Sequence, residues 1–202
     1  MEANRLGVYG GTFDPPHVGH LILAETAADS LNLARVVFVP AGTPPHKEAS
    51  DVREPVEHRL IMVERAIAGN PRFVLSRVDV DRAGPHYSVD MLRLLRDDYP
   101  GAEIVFLIGA DSLRDLPTWS RPQELIQLAR LGVMRRADAE PDLGELEMNI
   151  PGIGARIEWI IAPRIEIASH VIADQIAGGC SVRYQVPDSV LEYIREQGLY
   201  RE

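Results

Sequence analysis

Two histidines near the start of the chain have the residue type and the spacing for phosphate chemistry. His17 and His20 lie in the stretch GGTFDPPHVGH, residues 10–20. Because the two residues are three positions apart, both imidazoles lie on one side of a helix start, where the helix dipole favours an anion. Gly10 and Gly11 can adopt backbone angles closed to other residues and leave main-chain N–H groups unobstructed. The stretch predicts a phosphate site, although a plain tight turn would explain the glycines equally well.

Other chemistries that use paired histidines or glycine-rich turns fit less well. Zinc sites usually have further ligands, and neither a nearby cysteine nor an H-E-x-x-H helix accompanies these histidines, so no metal site is predicted. The P-loop pattern G-x-x-x-x-G-K-[ST] does not occur, and Gly152-Ile-Gly154 lacks the third small residue of a dinucleotide loop. Neither a P-loop ATPase nor an ordinary dehydrogenase is expected.

Composition indicates an ordinary globular protein. With 202 residues, 46% hydrophobic and 25% charged, the chain is expected to form one domain, 1–202. Its net charge of −9, without a long basic run, argues against a nucleic-acid partner or an anionic membrane surface. No apolar run approaches the ~20 residues of a membrane span. Cys180 is the only cysteine, which favours a reducing cytoplasm and a semi-buried apolar role for its side chain.

Alternating apolar runs and helical periods predict an α/β fold: a doubly wound, Rossmann-like parallel sheet with helices on both faces and a small C-terminal helical part. The predicted strands are 6–9, 36–39, 73–75, 103–108, 131–134 and 157–161, and the predicted helices are 18–33, 56–68, 89–99, 122–129 and 187–198. Residues 136–152, rich in Asp, Glu, Pro and Gly, are predicted to be a solvated loop. In such sheets, ligands bind beyond the carboxyl ends of the strands, near the point where the strand order reverses. Residues 10–20 of this chain directly follow the first strand, so they lie at the expected position.

The stretch 10–20 resembles the G-x-F-D-P-x-H-x-G-H motif of the nucleotidyltransferase superfamily. Four later stretches resemble bacterial nicotinate-mononucleotide adenylyltransferases: PPHK at 44–47, GPHYSVDML at 84–92, IGADSLRDLPTW at 108–119 and SVRYQVPDSVLEYI at 181–194. The resemblance implies that ATP, accompanied by Mg²⁺, and nicotinate mononucleotide give deamido-NAD and pyrophosphate, a step of NAD synthesis.

The resemblance also implies roles for individual residues. His17 and His20 would be catalytic donors to the triphosphate. ATP and phosphate binding would fall to Gly10, Gly11, Thr12, Phe13, Lys47, Gly109, Asp111 and Ser169. Nicotinate mononucleotide would be held by Trp119, which stacks on the pyridine ring, and by N–H groups near Tyr87 and Ser88.

Several of these roles have structural alternatives. The role of a strand-end glycine explains Gly109 nearly as well, and the role of a helix N-cap explains Asp111 nearly as well. Trp119 could equally be a core residue. Asp14 is expected to fix the turn rather than to touch substrate. Arg59 and Arg82 also match the family pattern, but each is equally explained as a solvated charge.

The chain departs from the family's second signature, S-S-T-x-x-R, which aligns with IASHVIADQIAGG at 167–179. Only Ser169 is kept; Ala168, His170 and Ala173 replace the first Ser, the Thr and the Arg. The missing Arg ordinarily meets the β- and γ-phosphates of ATP. In the loop after Arg136, Ala137-Asp138 replaces the usual Pro-Gly beside the adenine.

Three explanations of the lost Arg remain open. A substitute cation such as His170, Arg164 or Arg183 reaches the phosphates, Mg²⁺ carries more of the charge, or the chain is a weak or inactive relative that acts as a nucleotide sensor. If only the cation is missing, Ala173→Arg should raise turnover. An adenylyltransferase with another phosphate acceptor is a further alternative, and the sequence does not determine whether the protein forms a homo-oligomer.

Overall fold

The sheet has six strands, with the first strand of the chain near its centre. A computed structural model describes residues 4–42, 52–135, 141–163 and 165–201. The strands are β1 (Arg5–Gly11), β2 (Arg35–Pro40), β3 (Phe73–Leu75), β4 (Glu103–Gly109), β5 (Arg130–Met134) and β6 (Ile157–Ile160). Their order is β3-β2-β1-β4-β5-β6, and all neighbours run parallel. The predicted doubly wound parallel sheet is confirmed.

The switch point lies between β1 and β4. The chain winds outward from β1 through β2 to β3 and then returns to the other side of β1 to form β4. Within this central pair, Val8 lies opposite Phe106. Because the connections leave β1 and β4 in opposite directions, a crevice opens above their carboxyl ends. Residues 12–20 leave β1 directly into this crevice.

Helices cover both faces of the sheet. In the described part of the chain they are α1 (Val18–Ser30), α2 (Val56–Ile67), α3 (Ser88–Asp98), α4 (Ala110–Asp115), α5 (Pro122–Leu128), α6 (Leu143–Asn149), α7 (Ser169–Ala177) and α8 (Asp188–Gln197). Where a helix was predicted, its observed ends lie within three residues of the predicted ones. The alternation of strand and helix along the chain is therefore readable from apolar periodicity.

The pleat of β1 divides the core in two. Val8 faces the apolar cluster that includes Phe106 and the buried side of α3, whereas Tyr9 faces the cluster that includes Phe13 and α1. Helix α1 presents small side chains to the sheet, and Ala24 is fully buried. The residues that follow β1 thus stand above the boundary between the two cores.

The C-terminal helices form a third apolar cluster. Residues of α7 and α8 pack together and against Met62 of α2. The predicted amphipathic C-terminal helix is confirmed, with Gly198 in the left-handed conformation at its end (φ 67°). No helix within the described ranges is long and apolar enough to cross a membrane.

The loop predicted at 136–152 and the burial predicted for Cys180 were wrong. Part of the expected loop 136–152 is helix α6, whose N-cap Asp142 accepts hydrogen bonds from Gly144 N (2.8 Å) and Glu145 N (3.2 Å). The helix forms because Leu146 is buried in the core beside β4 and β5. Cys180, expected to be semi-buried, is exposed in the turn after α7.

Candidate active site

The backbone after β1 turns at Phe13, not at the glycines. Gly10 and Gly11 are the last residues of β1, and Phe13 instead has the left-handed conformation (φ 52°). The expectation that the two glycines supply special backbone angles was therefore wrong. Gly11 leaves space for the ring of Phe13, since a Cβ there would lie 3.0 Å from that ring.

The two histidines form a stacked pair at the start of α1. His17 is the N-cap, its ring centre lies 3.6 Å from that of His20, and the ring planes differ by 23°. The main-chain N–H of His17 donates to Nδ1 of His20 (3.1 Å). A Cβ on Gly19 would lie 3.0 Å from Nδ1 of His17, so a larger residue there would press on the histidine ring. The predicted convergence of both imidazoles on one corner is confirmed.

Both imidazoles are neutral at pH 7. Burial lowers the pKa of His17 to about 4. Burial, and then the charge of His17, lower the pKa of His20 well below its usual value. Because Nδ1 of His20 accepts the main-chain hydrogen bond, its proton lies on Nε2. His20 therefore offers a neutral N–H donor rather than a positive charge.

A cavity of about 270 Å³ opens in front of the pair. It is lined by Thr12, Phe13, Asp14, His17, His20, Arg53, Ser169 and His170. Pockets for whole drug-sized ligands measure roughly 300–1,000 Å³, so this cavity suits part of a nucleotide. Helix α7 forms one wall, where Ser169 Oγ donates to the carbonyl oxygen of Pro15 (2.9 Å).

The loop is held in place from distant parts of the chain. Asp14 accepts hydrogen bonds from Arg53 N (2.7 Å) and from the hydroxyl of Tyr200 (2.6 Å). These bonds agree with the expectation that Asp14 fixes the turn. Burial, followed by the charge of Asp14, raises the pKa of Tyr200, which therefore remains a donor.

Arg59 supports the same loop from below. Its side chain is 1% exposed, and its guanidinium donates to the carbonyl oxygens of Thr12 (2.8 Å) and Ala41 (2.9 Å). A third bond reaches the carbonyl of Gly42 (3.1 Å). The alternative of a solvated helix charge is thus wrong for Arg59.

The opposite side of the crevice is more open. Gly109 ends β4 and is the N-cap of α4, and Asp111 lies in the first turn of α4 rather than at the N-cap as the structural alternative had it. Trp119 is partly buried against Phe106, with ring centres 6.3 Å apart. Its side chain is partly buried, so the structure agrees with core packing and leaves the stacking role a prediction.

Tyr87 and Ser88 mark the start of α3, on the same face of the sheet as Trp119. Tyr87 is the N-cap and Ser88 is the first helical residue. Arg82 is mostly buried and secures this turn: it pairs with Asp79 (2.6 Å) and donates to the carbonyl oxygen of Tyr87 (3.3 Å). Arg82 is therefore a positioning residue rather than a solvated charge.

The structure separates the proposed replacements for the lost cation. His170 lines the cavity, whereas Arg183 lies over the ring of Tyr184 (5.7 Å) and is not among the lining residues. Lys47, Arg164 and Arg136–Asp138 lie outside the described residues. Ala173 is fully buried among apolar side chains, so Ala173→Arg would disrupt the core instead of simply restoring a cation.

Sequence reasoning missed Arg53 as a cavity residue. The residue stands alone in an acidic stretch, and the bonds that bring it to the cavity come from positions far away in the chain. No local pattern could have shown them.

Comparisons with known proteins show the family of this chain. A family model described as cytidylyltransferase-like matches residues 8–178. A probable nicotinate-nucleotide adenylyltransferase of Thermomicrobium roseum is 50% identical over 98% of this chain and 92% of that protein. One of Rubrobacter xylanophilus is 43% identical over the same shares. This chain belongs to the nicotinate-nucleotide adenylyltransferase family.

Solved structures share the fold of this adenylyltransferase family member. Two are of Plasmodium falciparum nicotinic acid mononucleotide adenylyltransferase, complexed with APC and with NaAD. They match with TM-scores of 0.75 and 0.77 over 97% of this chain and 96% and 97% of those chains, at 16% and 17% identity. The likeness at this identity concerns the fold.

Proposed function

We propose that this protein transfers the adenylyl group of ATP to nicotinate mononucleotide, giving deamido-NAD and pyrophosphate in NAD biosynthesis. The observation that carries the proposal is the stacked pair of His17 and His20 at the wall of the cavity beside the switch point. Full-length relatives bear the name of this activity. The active domain is proposed to span the whole chain, 1–202.

The reaction requires little covalent chemistry from the protein. A phosphate oxygen of nicotinate mononucleotide attacks the α-phosphorus of ATP, a new P–O bond forms, and the bond from the α-phosphorus to the bridging oxygen breaks. Pyrophosphate leaves with that electron pair. Rate acceleration then depends on aligning two anions and stabilising charge on the leaving oxygens.

The triphosphate is proposed to lie in the cavity. His20 donates from Nε2, and His17 presents its ring edge beside it. Ser169 contributes from α7, and the main-chain N–H groups of residues 10–13 border the incoming phosphate. Both imidazoles are neutral, so their N–H groups would act as short-range donors to the charge that develops on the phosphate oxygens.

The pyridine nucleotide is proposed to lie on the side of Trp119. Its ring would stack on the indole, and the main-chain N–H of Ser88 would receive the nicotinate carboxylate, since the N–H of Tyr87 already donates to the carbonyl oxygen of Pro85 (3.2 Å). Gly109 and Asp111 are proposed to border the adenosine ribose, whose hydroxyl protons a carboxylate can accept.

Mg²⁺ is proposed to enter as the complex with ATP. Asp14 is the cavity's only carboxylate among the described lining residues, and it already accepts bonds from Arg53 and Tyr200. Nowhere in the described ranges do three His, Cys, Asp or Glu side chains form a metal cluster. These residues fit a magnesium ion held mainly by the phosphates of its substrate and by water.

A single assay tests the reaction. Purified protein is incubated with ATP, Mg²⁺ and nicotinate mononucleotide, and pyrophosphate and deamido-NAD are measured together. Equal amounts of both products are expected. Binding of the two substrates without either product would contradict the proposal and favour the nucleotide-sensor alternative.

The acceptor is tested by exchanging one group on the ring. Nicotinate mononucleotide is expected to be preferred to nicotinamide mononucleotide, because the main-chain N–H of Ser88 at the start of α3 suits a carboxylate. Steady-state kcat/KM for the two acceptors measures the preference. Equal kcat/KM for the two acceptors would contradict the carboxylate site. If the protein used neither mononucleotide but turned over another phosphate compound, a different acceptor would be favoured.

A further inference from the structure

The cavity has one permanent cation among its described lining residues. His17 and His20 are neutral at pH 7 because burial lowers their pKa values, and Asp14 brings negative charge. A triphosphate placed there carries several negative charges. Arg53 is the lining side chain whose positive charge does not depend on pH in the physiological range.

The backbone of Arg53 is fixed to the loop of residues 12–17, which follows β1. Its main-chain N–H donates to Oδ2 of Asp14 (2.7 Å), and Glu54 N donates to the same oxygen (3.3 Å). The side chain then crosses to α7, where Nη2 donates to Oδ1 of Asp174. The guanidinium therefore lies between the loop of residues 12–17 and helix α7, which carries Ser169 and His170.

The contact with Asp174 is of the kind that a ligand can replace. The side chains of Arg53 and Asp174 are 39% and 62% exposed, and exposed ion pairs contribute little to stability. Asp174 uses one of the five N–H donors of a guanidinium. A phosphate provides a stronger, bidentate partner for the same group.

We propose that Arg53 binds the β- and γ-phosphates of ATP, exchanging its exposed ion pair with Asp174 for contacts with the phosphates. Arg53 thus supplies the cation that α7 itself does not carry, since Ala173 is buried beside Asp174. The inference rests on the proposed function and names the residue that recognises its nucleotide substrate.

Arg53→Met and Asp174→Asn distinguish phosphate binding from a structural ion pair. Either substitution removes the pair, but only Arg53→Met removes the cation, and both keep the main-chain bond to Asp14. Arg77→Met is the matched control, because Arg77 pairs with Asp81 in solvent and does not line the cavity. Arg53→Lys retains the charge without the planar fork.

The measurement is the KM for ATP and the KM for nicotinate mononucleotide of each variant, with the thermal midpoint as a check of folding. Arg53→Met is expected to raise the KM for ATP about tenfold or more, with an intermediate effect for Arg53→Lys. Asp174→Asn and Arg77→Met should leave it within about twofold. The KM for nicotinate mononucleotide should change little in all four.

Two results would overturn the inference: an unchanged KM for ATP in Arg53→Met, or an equal rise in Asp174→Asn. Calorimetric titration with ATP separates this failure from failure of the proposed function. If the wild type makes no product but binds ATP at least tenfold more tightly than Arg53→Met, the adenylyl transfer fails and the Arg53 site stands. Equal affinities would reject the site, whether or not the wild type is active.

Discussion

The two sides of the crevice are built differently. On the histidine side, His17, Phe13 and Asp14 are buried, and the ring of His20 stacks on that of His17. On the side of Trp119, the candidate groups begin separate helices and remain partly exposed. Preorganised donors act on developing charge, whereas an open aromatic surface mainly contributes affinity. The histidine side should therefore control rate, whereas Trp119 and the start of α3 should control acceptor binding.

The largest expected effect is the loss of a histidine donor. His20→Ala should lower kcat about 10²–10³-fold, the range found when one preorganised donor is removed. The KM for nicotinate mononucleotide should change little. Steady-state kinetics with each substrate varied in turn measures both effects. An unchanged kcat with a raised KM for nicotinate mononucleotide would reverse the assignment of the two sides.

The buried histidine also makes stability depend on pH. The folded-state pKa of His17 is about 4, below the usual 6.5, so the unfolded chain binds more protons between these values. The free energy of unfolding therefore falls as pH falls through this window, by about 2 kcal/mol from pH 7 to pH 5 on account of His17. Urea unfolding of the wild type and His17→Gln at both pH values measures the contribution. Equal pH dependence in the two proteins would refute it.

The C-terminal segment supports the loop of residues 12–17, and loss of this support should have a smaller effect, on the free energy of unfolding. Tyr200→Phe removes the hydroxyl that donates to Asp14 and should lower the free energy of unfolding by about 1–3 kcal/mol. Tyr184→Phe is the matched control, because Tyr184 is 81% exposed. Denaturant unfolding compares the two. A loss as large in the Tyr184 variant would show that the Asp14 contact is not the cause.

The smallest effect is expected on the acceptor side. Trp119→Ala should raise the KM for nicotinate mononucleotide about three- to tenfold by removing the stacking surface. The KM for ATP should stay near the wild-type value. Because Trp119 also packs on Phe106, Trp119→Phe should recover part of the affinity. Loss of ATP binding in Trp119→Ala would contradict the division between the two sides.

Local patterns in the sequence predicted the sheet, most helices and the histidine corner, because each depends on residues close together in the chain. The histidine pair could be predicted from its three-residue spacing at the start of a predicted helix. Arg53, Arg59 and Tyr200 could not be placed in this way, since their bonds to residues 12–14 join distant segments. Helix α6 was missed because acidic composition suggested a loop, although Asp142 is a good N-cap residue.

Direct binding of the nucleotide tests the central claim most sharply. A non-hydrolysable ATP analogue with Mg²⁺ is titrated by calorimetry into the wild type, into a variant with both His17 and His20 changed to Ala, and into Trp119→Ala. The wild type and the Trp119 variant should bind with similar affinity, and the double histidine variant should bind at least tenfold more weakly. Undiminished binding by the double variant would contradict the claim that the histidine corner holds the triphosphate.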